Sequence, residues 1–151
     1  MRVPSFSLQD QDGVTHTPEE WMGQWLLIYV YPKDNTPGCT KEACAIRDDF
    51  ETFRTLGIAV AGMSGDSVQS HKKFADAYQL PFPLLSDPTK ETMKALGAIG
   101  EKKFMGRTFE GIQRKSFLVN PEGEIVKTYE KVTPAEHAQE VLADVRALLD
   151  K

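Results

Sequence analysis

This sequence predicts an α/β domain with a central mixed β-sheet flanked by helices, and three observations predict it. Apolar runs of strand length alternate with longer segments of helical period. The run from Trp25 to Tyr31 is apolar throughout, as in a strand buried on both faces. The chain has 151 residues, 40% of them hydrophobic, and neither a repeat nor a linker interrupts it, so one domain over residues 1–151 with one core is expected.

The elements follow in order. A short strand near Ser5–Leu8, a turn at Asp12-Gly13 and a return strand Val14–Thr17 precede the buried strand Trp25–Tyr31, which Pro32 stops. A long helix is predicted from about Cys39 to Leu56, with Gly57 as its left-handed cap, then a parallel strand Ile58–Ser64. Asp66 reads as the N-cap of a helix to Tyr78, Pro81–Leu85 as a short strand, and Asp87–Leu96 as a helix before Gly97. Gly100–Gly111 reads as loop. Gln113–Val119 and Glu124–Tyr129 flank Asn120-Pro121-Glu122-Gly123 and form a hairpin, and Thr133-Pro134 starts the last helix. A βαβ unit followed by an antiparallel hairpin and a terminal helix matches a thioredoxin-like fold better than a doubly wound nucleotide-binding sheet.

A net charge of -4, with no basic run longer than Lys102-Lys103, gives no electrostatic footprint for nucleic acid or an anionic membrane. The N-terminus lacks a signal-peptide apolar region and no apolar stretch is long enough to span a bilayer, so a cytoplasmic protein is expected. The two cysteines, Cys39 and Cys44, fall within six residues. Closing so small a loop would contribute only roughly 2 kcal/mol, so a structural staple explains them poorly and a local chemical role is expected.

The segment Pro32-Lys33-Asp34-Asn35-Thr36-Pro37-Gly38-Cys39 delivers a cysteine to a helix N-terminus through a loop that two prolines stiffen. Unpaired backbone NH groups and the positive end of the helix dipole favour a thiolate there, the nucleophilic form of the side chain. Cys39 shares a stripe with Ala43, Ile46, Phe50 and Phe53 and should face inward. Cys44 lies about 140° away around the helix, on the wetter side. A thiolate attacking a peroxide needs the O–O bond held in line and donors on the leaving oxygen. The Thr36 hydroxyl and the NH groups of Gly38 and Cys39 are candidates, Arg114 is the preferred cation, and Arg107 is second choice. Each has a plainer reading: Cys39 as a small buried residue, Cys44 as incidental, Arg114 as an ion-pair partner or surface charge, and Thr36 as a turn residue. His16, His71 and His137 are scattered and read as solvated surface, and no metal is expected. Phe104, Met105 and Phe109 read first as core contacts, with a patch receiving substrate or reductant as the alternative.

Tyr31-Pro32-Lys33 through Thr36-Pro37-Gly38-Cys39-Thr40 with Glu42-Ala43-Cys44 resembles the peroxiredoxins, specifically the bacterioferritin comigratory protein or peroxiredoxin Q subfamily. Ser5-Phe6-Ser7-Leu8, Leu84-Leu85-Ser86-Asp87, Gly100-Glu101-Lys102 through Phe104-Met105-Gly106, and Arg114 with Ser116-Phe117-Leu118 extend the likeness over essentially the whole chain. The resemblance implies reduction of hydrogen peroxide and organic hydroperoxides without a cofactor, recycling by thioredoxin or a similar dithiol, and a monomer. It also implies roles: Cys39 as peroxidatic cysteine, Pro32 and Thr36 as the Pro and Thr of the Pro-x-x-x-Thr-x-x-Cys motif, Arg114 as active-site arginine, and Cys44 as resolving cysteine. No cysteine follows Cys44 and the chain ends Ala147-Leu148-Leu149-Asp150-Lys151 without a Tyr-Phe tail, so the obligate two-subunit type is not expected. A thioredoxin-type oxidoreductase normally uses Cys-x-x-Cys, whereas four residues separate these cysteines. A non-catalytic thioredoxin-like binding module is the alternative of a different class.

Overall fold

The computed structural model describes residues 1–149; Asp150 and Lys151, on which the expectation about the C-terminal tail partly rests, lie outside them. Leu8–Gln9 (β1) pairs with Thr15–His16 (β2) as a two-residue ladder, shorter than the strands expected around the Asp12-Gly13 turn. The Asp10 carboxylate accepts from the NH groups of Asp12 and Val14 at 2.8 and 3.1 Å and takes up backbone donors that a longer ladder would have used.

The main sheet has the order β5-β4-β3-β8-β9, from Trp25–Val30 (β3), Ile58–Ser64 (β4), Leu84–Ser86 (β5), Lys115–Val119 (β8) and Ile125–Tyr129 (β9). β3 pairs parallel with β4 and antiparallel with β8, so the sheet is mixed with β3 at its centre. That position explains the unbroken apolar run. Leu27, Tyr29 and Tyr31 enter one core layer, while Leu26, Ile28 and Val30 enter the layer on the opposite face.

The first layer is closed by Pro37–Asp48 (α1), Phe50–Thr55 (α2), Val68–Tyr78 (α3) and His137–Leu149 (α5). Met93 of Glu91–Ala95 (α4), with Phe6, Trp21, Leu96, Ala98 and Ile112, closes the second. None of the described helices is long and apolar enough to cross a membrane.

The structure corrects the expected elements in several places. The helix predicted from Cys39 to Leu56 begins two residues earlier, with Pro37 in its first turn and Thr36 as N-cap, and breaks at Asp49 (φ -98°, ψ 8°), whose carboxylate accepts from Gln139 of α5 at 2.8 Å. The N-cap of α3 is Ser67, whose side chain accepts from the Ser70 NH; the Asp66 carboxylate instead turns to the Ser64 hydroxyl and the Asp34 NH. The last helix starts at His137, three residues after Pro134, since Thr133 first forms a turn with Glu136 and His137.

Gly100–Gly111, expected as loop, lies within a hairpin of Ile99–Phe104 (β6) and Arg107–Ile112 (β7) that forms a separate two-stranded sheet. Its turn puts Met105 and Gly106 at φ 51° and 78°, the conformation of a mirror-image hairpin turn. Methionine is an unusual occupant of that position and gave no turn signal. Phe104, Met105 and Phe109 are exposed, which overturns their reading as core contacts.

Candidate active site

The site forms where β3 runs out. Pro32 follows the strand, and the loop from Lys33 to Thr36 carries the chain into α1, with Asn35 in the left-handed region (φ 58°) that Asn tolerates. Asp34 fastens this loop. Its carboxylate accepts from the Tyr31 hydroxyl at 2.6 Å and the Ser70 hydroxyl at 2.8 Å and meets His71 Nδ1 at 2.7 Å. Burial would raise this carboxyl, but the bonds from His71, Tyr31 and Ser70 outweigh it and hold the group below its usual range.

Cys39 is buried in the first turn of α1, on the core-facing stripe with Ala43, Ile46 and Phe53. Its Sγ receives a hydrogen bond of 3.2 Å from Nη2 of Arg114, while Nη1 of the same guanidinium donates to Glu42 Oε1 at 2.8 Å. Arg114 lies in the two-residue link between β7 and β8 rather than within the strand expected over Gln113–Val119. Both of its readings therefore hold together: it is an ion-pair partner and it reaches the sulfur. Gly38 leaves room for that approach: a Cβ there would stand 3.1 Å from Nη2, and the guanidinium would have to give by a few tenths of an ångström. Arg107, the second choice, is exposed at the start of β7.

The Thr36 hydroxyl donates to the Lys33 carbonyl at 2.9 Å, so its proton is engaged within the loop and its lone pairs are left as acceptors. Thr36 is thus a turn residue here, with acceptor capacity left over, rather than the donor expected. The NH groups of Gly38 and Cys39 are first-turn donors of α1 with no intrahelical partner. Cys44 is half-buried on the other side of α1, beside a shallow cavity of ≈ 380 Å³ lined by Asn35, Pro37, Thr40, Lys41 and Tyr78. Both cysteines are free thiols.

The histidines differ from the expectation. His71 and His137 are buried, and His16 lies between Asp10 and Glu20, stacked on Trp21, so none is plain solvated surface. Potential ligand atoms of Asp34, Asp66 and His71 lie within 4.8 Å of one another. They are already joined by internal hydrogen bonds, which makes this cluster a brace for the loop.

The sequence reading missed Glu42, which is fully buried. A signal was available: three residues after Cys39 in a helix is one turn along the same face, so an acid there sits close to the sulfur. Burial pushes its carboxyl up to about 7, although Arg114 works against the shift.

Residues 1–128 match the model of the AhpC/TSA family. The chain belongs to the AhpC/TSA family of peroxiredoxins. Peroxiredoxin Bcp of Escherichia coli K12 is 40% identical over 140 residues, 93% of this chain and 90% of that protein. Peroxiredoxin Bcp of Bacillus subtilis 168 is 36% identical over 150 residues, 99% and 96% of the two chains. The bacterioferritin comigratory protein of Xanthomonas campestris, whose structure was reported for its alkyl peroxide reduction, superposes with a TM-score of 0.90 at 38% identity, covering 95% of this chain and 91% of that one. This peroxiredoxin therefore falls in the bacterioferritin comigratory protein or peroxiredoxin Q branch and has the thioredoxin-like fold of those structures. It is a peroxidase that takes peroxides as substrates and a thiol as reductant.

Proposed function

We propose that this peroxiredoxin reduces hydrogen peroxide and organic hydroperoxides in the cytoplasm through a Cys39 sulfenic acid, which Cys44 resolves as an intramolecular disulfide and thioredoxin or a similar dithiol then reduces. The observation that carries the reading is the 3.2 Å bond from Arg114 Nη2 to the sulfur of Cys39, a buried thiol in the first turn of a helix. The thiolate attacks the terminal peroxide oxygen, the S–O bond forms as the O–O bond breaks, and RO⁻ leaves and is protonated to ROH. Arg114 and the NH groups of Gly38 and Cys39 receive the charge growing on the leaving oxygen. The Thr36 lone pairs accept a hydrogen bond from the hydroperoxide OH and orient the O–O bond, while Pro32 and Pro37 stiffen the loop.

Cys44 then attacks the sulfenic sulfur, releasing water and forming the disulfide, and an external dithiol restores both thiols. These are the only cysteines in the sequence, so any intramolecular disulfide joins them. No partner subunit is needed to complete this set of groups, which supports a monomer. A thioredoxin-coupled assay that follows NADPH consumption on addition of peroxide tests the scheme. Cys39→Ser should abolish peroxide consumption, whereas Cys44→Ser should keep a normal first turnover and lose thioredoxin-dependent cycling. A normal first turnover in Cys39→Ser overturns the assignment of the nucleophile.

A further inference from the structure

Arg114 faces two acids at once. Nη1 is 2.8 Å from Glu42 Oε1 and Nη2 is 3.2 Å from Cys39 Sγ, and both acidic side chains are buried. Among the described residues, the titratable groups that act on this centre from the packed elements add no second cation. Tyr29 on β3 is fully buried and stays a neutral phenol, since burial first, then the charges of Glu42 and Asp34, raise it well above its ordinary value. His137 on α5 is held below its ordinary value by burial, with Arg114 acting in the same direction, and bonds to Ser116 and Glu140. With Glu42 and Cys39 both ionised, the pocket would hold two anions against one guanidinium.

A second observation shows which acid gives way. Glu42 Oε2 is buried without a hydrogen-bond partner among the described residues. A carboxylate left with a bare oxygen in such surroundings costs more than a neutral carboxyl group does. The thiolate, by contrast, has the guanidinium and the first-turn NH groups of α1 beside it.

We propose that Glu42 is a positioning residue that shares one proton with Cys39 across Arg114, so that the carboxyl holds the proton while the sulfur is the thiolate. This rests on Cys39 being the peroxide-reactive sulfur. The pair titrates as a unit, and neither ionisation belongs to one residue alone. Attack on a hydroperoxide then balances within the site: Cys39–S⁻, Glu42–COOH and ROOH become Cys39–SOH, Glu42–COO⁻ and ROH. The alkoxide takes its proton from solvent as Glu42 releases one, so the net charge of the site does not change. Once the sulfur is a neutral sulfenic acid, Arg114 has a single anion again, the Glu42 carboxylate. Upward pressure on the Glu42 carboxyl from burial, to about 7, agrees with a group that holds a proton at neutral pH.

Glu42→Gln in a Cys44→Ser background tests this, because glutamine keeps an oxygen for Arg114 and removes the competing charge. The readout is the alkylation rate of Cys39 by iodoacetamide against pH, which needs no peroxide and so fails independently of the peroxidase reading. The parent should show a broadened, two-step rise. Glu42→Gln should show a single step that coincides with the first, lower step of the parent and lacks the second, because the charge that splits the titration is gone. If Glu42 merely orients Arg114, the parent too will rise in one step, and that result overturns the proposal. A second measurement leaves Glu42 in place: in Cys39→Ser, the infrared carboxylic-acid band of Glu42, identified by its loss in Glu42→Gln, should disappear at lower pH than in the wild type. An unchanged midpoint there also overturns it.

Discussion

Nη2 of Arg114 lies 3.2 Å from the sulfur of Cys39, and that contact raises the question of how the rate is divided among causes. An ordinary thiol of pKa about 8.5 is roughly 3% ionised at pH 7, so complete ionisation gains only about 30-fold. A fast peroxidase must draw the rest from groups acting on the leaving oxygen. Arg114→Met should therefore lower the second-order rate constant with peroxide by about 100-fold or more. Stopped-flow rates against pH separate the causes: the deficit should persist at high pH, where wild type and variant are both thiolate, and convergence there would remove Arg114 from the transition state. Arg107→Met, an exposed change at the hairpin turn, should leave the rate unaltered. Cysteine, proline and arginine positions announce themselves by residue type at fixed spacing. Glu42 and Asp34 do not, because in sequence they look like ordinary charged residues and only burial gives them a role.

At the scale of elements, α1 is continuous from Pro37 to Asp48, and that continuity keeps its two thiols apart. Five residues along an ideal helix separate the Cα atoms by roughly 8.6 Å, with side chains about 140° apart. A disulfide usually needs Cα atoms within about 7 Å and side chains pointing at each other. Resolution should therefore require at least the first two turns of α1 to unfold once Cys39 is oxidised. The break at Asp49 sets a limit to that melting, since α2 begins after it and is anchored in the core by buried Phe53. Hydrogen exchange should be faster across Gly38–Ile46 in the disulfide form, while β3, β8 and α2 keep their protection. Equal protection of Gly38–Ile46 in both redox states would refute local unfolding. The helical period of this stretch was legible in the sequence but the break was not, since residues on either side of Asp49 keep the same apolar spacing and a tertiary bond to Gln139 accompanies it.

Across the whole molecule, Glu42 makes stability depend on pH. Its carboxyl is raised from 4.5 to about 7, so the folded protein binds this proton more tightly than the unfolded chain. The contribution is complete below the unfolded value and is lost as pH rises through about 7. Asp34 and Asp144 are shifted the other way, and their contributions are lost only as pH falls below the ordinary carboxylate range, a separate window. Urea unfolding should show wild type losing up to about 3 kcal/mol relative to Glu42→Gln between about pH 5 and about pH 8. Parallel stability curves for the two proteins would show that Glu42 is not protonated in the fold.

The sequence by itself determined the buried strand that starts at Trp25 and the placement of Cys39 on an inward helical stripe. Apolar period, turn residues and residue types at fixed spacing are local properties, and those decisions depend on nothing else. Tertiary structure alone decided the hairpin Ile99–Ile112, the burial of His71 and His137, and the joining of Glu42, Arg114 and Cys39 into one centre. The hairpin is polar and its turn carries a methionine at positive φ, so period and turn chemistry were silent there. The buried charges owe their state to partners 37 to 75 residues away in sequence, and a linear pattern holds no record of which distant groups will share one low-dielectric pocket.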